Sequence, residues 1–66
     1  MTKSERENWI ANIENAASFI ETEIGVETVN FVLAKYSADS IGQIASSHLS
    51  GVFNELYAIE VDLRSG

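Results

Sequence analysis

Apolar residues recur on a helical period in three stretches of this 66-residue chain, and the longest stretch is 48–63, HLSGVFNELYAIEVDL. Placed on a helix at roughly 100° per residue, Leu49, Val52, Phe53, Leu56, Ile59 and Leu63 share one face. Their spacing is the i, i+3, i+4, i+7 pattern of a core stripe. Tyr57 and Val61 widen the stripe on one side, and an arc that broad suits a helix with more than one neighbour. Glu60 projects near the middle of the arc. A carboxylate in that place must be partnered, protonated, or close to a helix end that opens to water.

Upstream, Ser4 with Glu7 reads as a capping box, and Glu5 is well placed for the helix dipole. The pattern predicts a first helix from about Glu5 to Glu23, with Trp9, Ile10, Ile13, Ala16, Ala17, Ile20 and Ile24 on its apolar face. Glu7, Glu14, Ser18 and Glu21 lie opposite. Phe19 stands apart, roughly 120° from the centre of the stripe. Gly25 is a natural terminator, free to take a positive φ. A second helix is predicted from Val26 to about Tyr36, with Val26, Val29, Val32, Leu33 and Tyr36 inward. Its three valines would also suit a strand, but Glu27, Asn30 and Lys35 break strict alternation and decide for helix. Phe31 points away from this stripe, as Phe19 does from its own.

The break is 37–47, SADSIGQIASS, where Asp39 can cap a short helix over Ser40–Ala45 that tucks in Ile41 and Ile44. Gly42 weakens that helix, so a single turn is enough to account for it. Ser46 or Ser47 is then the expected cap of the last helix, which ends near Leu63 or Arg64. Gly51 falls in its first turn, where its cost is lower than in mid-helix, and a close backbone contact is the alternative account of it. The expected fold is all-α: a compact bundle of three main helices plus one short helix, in one domain spanning residues 1–66.

Composition narrows the function classes. A chain of this length buries only about 60% of its unfolded surface, and small domains usually add disulfides, a metal or a partner subunit. There is no cysteine and a single histidine, so disulfides, thiolate metal sites and multi-histidine sites within one chain are excluded. A homo-oligomer, most simply a dimer, is the remaining common solution. Ten acids oppose four bases, a net charge of −6, and Lys3, Arg6, Lys35 and Arg64 are scattered. Binding to a phosphate backbone needs clustered bases, so no nucleic-acid partner is expected. The opening MTKSERENW has no apolar h-region, and no apolar run approaches the roughly 18–20 residues of a membrane span. A cytoplasmic protein without membrane contact is the expectation.

Each candidate constellation has a plain alternative. Ile41-Gly-Gln-Ile44-Ala45 is superficially like the first helix of a helix-turn-helix, but Leu49 and Ser50 stand where that motif wants glycine and an apolar residue. His48 sits among serines, with no nucleophile elbow or oxyanion loop beside it. Glu21 with Glu23, or Glu55 with Glu60 and Asp62, lack the Glu-x-x-His sequence of a di-iron bundle site. No catalytic, cofactor or metal residues are assigned, and no enzyme is expected. Glu60 is either a specificity contact to a partner's base or an i,i+4 pair with Arg64. Phe19 and Phe31, both off their stripes on consecutive helices, either join into a second apolar face for another subunit or are covered by the last helix or the N-terminus folding over them. Phe19, Phe31, Tyr57 and Glu60 are therefore the interface candidates.

The run from Phe53 to Leu63, FNELYAIEVDL, resembles the C-terminal end of small uncharacterised proteins of bacterial conjugative and other mobile elements, and Val29–Tyr36 is similar to their middle helix. The resemblance covers about two-thirds of the chain. It implies a bacterial cytoplasmic setting and no established activity, so no functional residue is carried over from it. The expected function is a non-enzymatic, self-associating protein-interaction module. The alternative is an acidic DNA mimic of the anti-restriction kind, which would occupy a DNA-binding protein with acids spaced like phosphates.

Overall fold

A computed structural model describes all residues, 1–66, and has no strand. Three α-helices, α1 (Lys3–Ile24), α2 (Glu27–Lys35) and α3 (Leu49–Ser65), are joined by a two-residue turn and by a longer segment holding two 3-10 turns. The all-α bundle expected from the apolar periodicity is the fold. No helix is long and apolar enough to cross a membrane.

The helix ends depart from the expected ones. The capping box of α1 is Thr2 with Glu5, not Ser4 with Glu7: the Thr2 hydroxyl accepts from the Glu5 N–H and the Glu5 carboxylate accepts from the Thr2 N–H. Both pairs fit the same sequence pattern. The upstream box wins because it lengthens the helix and lets Arg6 N–H close onto Thr2 C=O. Gly25 ends α1 at φ +91°, donating to Glu21 C=O. Helix α2 ends in a Schellman motif: Ala38 N–H reaches Leu33 C=O and Ser37 N–H reaches Ala34 C=O. Its positive-φ position is a serine, Ser37, at φ +59°.

The short helix expected at Ser40–Ala45 contracts to a 3-10 turn, Ile41–Gln43, with no side-chain cap. Asp39 does not cap it. Instead the Gln43 side chain accepts from the Asp39 backbone. The serines do not cap α3 either: Ser46–His48 form a second 3-10 turn leading straight into Leu49.

Twelve buried residues form one core. Ile13, Ala16, Ala17 and Ile20 come from α1, Val29, Val32 and Leu33 from α2, Ala38 and Ile44 from the connection, and Leu49, Val52 and Leu56 from α3. Val26 and Ile24, expected inward, are about half exposed at the α1–α2 turn, because both fall at helix ends beyond the reach of α3. Arg6 holds the connection down, donating to Ser46 Oγ and Gly42 C=O, both at 3.0 Å. Trp9 meets Phe53, and ten residues on Phe19 meets Arg64. These pairings mean α1 and α3 run in the same direction, with α2 turned back beside them.

The exposed surface, 4204 Å², is close to the roughly 4,100 Å² expected of a folded monomer of this mass. Burial as a whole is ordinary for the size. What stands out is where large apolar side chains remain uncovered.

Candidate interaction surface

On the outer side of the α1/α3 seam three aromatic rings form a row. Trp9 of α1 meets Phe53 of α3 edge-on at 5.9 Å between centroids, and Phe53 stacks on Tyr57 at 5.5 Å. The row arises because Phe53 faces Trp9 of α1 and Tyr57 follows it four residues on, with Val61 at the same spacing beyond. Trp9 and Phe53 are partly covered, whereas Tyr57 is 50% and Val61 41% exposed. The two residues that widen the α3 stripe are therefore left uncovered by the chain's own helices.

Further along the seam, the Arg64 guanidinium lies 4.1 Å from the Phe19 ring centroid, and its Nε donates to Glu60 at 2.9 Å. Glu60 is the i,i+4 partner of Arg64, and its side chain is 16% exposed. This answers the carboxylate problem near the α3 stripe by a local ion pair at a helix end. Of the four expected interface residues, the fold brings Phe19, Tyr57 and Glu60 to this one side. Trp9 and Phe53 belong with them, although their spacing alone placed them in the core.

Phe31 is elsewhere. It lies on α2 roughly 200° from the direction of Val29, Val32 and Leu33, and it is 68% exposed, with Lys35 Nζ 5.9 Å from its ring centroid. Phe19 and Phe31 therefore do not merge into one apolar patch, because α2 presents its back to solvent and α1 presents its flank to α3. Two separate apolar faces result.

A polar clip joins α2 to α3. The Glu55 carboxylate accepts from Lys35 Nζ and from the Tyr36 hydroxyl. Donation by Lys35 and then by Tyr36 holds Glu55 below its usual carboxylate value, and the bond to Glu55 raises Tyr36 above its ordinary phenol value. The Tyr36 ring also packs on His48, 5.4 Å between centroids. These groups bond to one another and face no cleft. The chain's one concavity is open and about 190 Å³, lined by Glu5, Asn8, Trp9 and Asn12, below the roughly 300 Å³ at which small-molecule sites begin. No group of three or more His, Asp or Glu side chains is placed to hold a metal.

In comparisons with known proteins, no family model, no curated protein and no solved structure matches this chain.

Proposed function

We propose that this chain is a non-enzymatic helical interaction module that self-associates. The supporting observation is the exposure of large apolar side chains at the middle of helices, Phe31 at 68% and Tyr57 at 50%. Aromatic side chains of this kind are favoured anchors of protein interfaces. The α1/α3 row offers a second face, to a protein partner. In keeping with the resemblance of its α2 and α3 segments, we place the module in the bacterial cytoplasm, on a mobile element. Light scattering coupled to size-exclusion chromatography tests the reading. The weight-average mass is expected to rise from one copy toward two as concentration increases, and a constant single-copy mass at high micromolar concentration would defeat it.

The second reading, an acidic DNA mimic, has one observation in its favour. Glu7, Glu14 and Glu21 stand in a single exposed row on α1, successive carboxylates about 10.5 Å apart along the axis. Phosphates of one DNA strand follow at about 3.4 Å along its axis, so the row is sparser than the polymer it would imitate, and this reading ranks second. Inhibition of a restriction enzyme by the purified chain, relieved by Glu14→Lys, would support it. Undiminished cleavage with the chain in large excess would end it.

A further inference from the structure

We infer that the self-association proposed above uses the back of α2, with α2 of one copy packed antiparallel on α2 of a second copy across a two-fold axis at Phe31. The inference rests on that reading and names its surface and register.

The back of α2 carries one row at fourth-residue spacing: Glu27, Phe31, Lys35. All three are exposed. Each charged residue lies four positions from Phe31, about 6 Å along the axis. A two-fold axis through Phe31 inverts the row, so the phenyl rings of the two copies meet and each Glu27 faces the Lys35 of the other copy. An acid at one end, a base at the other and an aromatic between them make a pattern complementary to its own inverse, as an isologous contact requires. Ala34, also exposed and one turn from Phe31, adds a small side chain that lets the helices approach. Glu27 has no partner within its own chain. Lys35 spends one of its three donors on Glu55 and its side chain remains half exposed.

The α1/α3 face lacks this property. Its base and its acid, Arg64 and Glu60, are paired with each other one turn apart, so inverting that face sets no unpaired acid opposite a base, as inverting α2 does with Glu27. With only nine residues in α2, the contact falls at the low end of interface sizes, below about 1,200 Å² in total, so the dimer is weak and reversible.

Sedimentation equilibrium from micromolar to millimolar concentration tests this, with circular dichroism confirming that each variant is helical. Phe31→Asp is expected to abolish the rise in mass that Tyr57→Asp leaves intact. Glu27→Lys alone is expected to weaken association about tenfold, since both symmetry-related ion pairs become repulsive. Adding Lys35→Glu to it, together with Glu55→Gln so that the new carboxylate does not oppose Glu55, reverses the row and is expected to restore most of the affinity. The chain has no cysteine, so Phe31→Cys supplies a single thiol that should cross-link copy to copy under mild oxidation, faster than Tyr57→Cys. Association that survives Phe31→Asp but is lost with Tyr57→Asp would overturn the α2 contact and leave self-association standing. A helical double charge reversal that does not recover would overturn the antiparallel register. A wild-type chain that stays single throughout the range would overturn both.

Discussion

Arg64 covers Phe19. Its guanidinium carbon lies 4.1 Å from the ring centroid while its Nε is held by Glu60, so the last turn of α3 is fastened to the flank of α1. Arg64→Ala should destabilise the fold by about 0.5–1 kcal/mol, the range of one exposed stacking contact and one surface pair. Arg64→Lys should recover only part of it, because an ammonium has no flat face to lay over the ring. Urea unfolding of the three proteins measures both steps, and an Arg64→Lys variant as stable as the unsubstituted chain would show that the guanidinium's contact with the ring contributes nothing.

Gly51 sits under Tyr36. A Cβ at position 51 would lie 3.0 Å from the Tyr36 hydroxyl oxygen and 3.3 Å from Cε1. Alanine ordinarily improves a helix by up to about 1 kcal/mol over glycine, but here it must push aside a ring anchored to Glu55. Gly51→Ala should therefore be net destabilising by about 1 kcal/mol. In a Tyr36→Phe background the same change should cost less, since the nearest atom is gone. A thermodynamic cycle of the four proteins reads the coupling, and strict additivity would contradict the close contact.

The two best-defined helix ends make opposite predictions. Ser37 holds the positive-φ position of the α2 Schellman motif, which glycine occupies without a Cβ penalty, so Ser37→Gly should stabilise by about 0.5–1 kcal/mol. Thr2→Ala removes the hydroxyl that receives the Glu5 N–H and should cost about 1 kcal/mol. Ser4→Ala, at the position first expected to cap, should stay within about 0.5 kcal/mol. Chemical denaturation distinguishes them, and a larger loss at Ser4 than at Thr2 would place the cap at the wrong residue.

Stability should fall at both ends of the pH scale, with different residues responsible. The Glu55 carboxylate, favoured by Lys35 and Tyr36, and the Glu5 carboxylate, favoured by Thr2, titrate below their ordinary 4.5 in the folded chain. A depressed folded value means their stabilisation is complete above 4.5 and is lost as pH drops through the folded value. Tyr36, bonded to Glu55, titrates above its ordinary 10.0. Its stabilisation is complete below 10.0 and is lost as pH climbs through the raised value. Melting temperature against pH should show a plateau between these limits. Glu55→Gln should flatten the acid limb, and Tyr36→Phe should flatten the alkaline one. An alkaline limb unchanged by Tyr36→Phe would assign it to another group.

Periodicity by itself determined that the chain forms three helices and which residues fill their centre: Ile13, Ile20, Val29, Val32, Leu33, Leu49, Val52 and Leu56 all occupy the core at the 3–4 spacing read from the sequence. Burying an apolar stripe is a property of each helix separately, so local order suffices to reveal it. Helix ends were less legible because neighbouring polar residues, Thr2 and Ser4 or Asp39 and Gln43, offer the backbone competing partners of nearly equal worth. The fate of the residues beside each stripe was decided only by tertiary structure. Whether Phe19 finds Arg64, whether Tyr36 lies over Gly51, and whether Phe31 joins Phe19 or faces the opposite way depend on how the helices are turned toward one another. Those orientations are set by the whole core at once, and no single helix carries them.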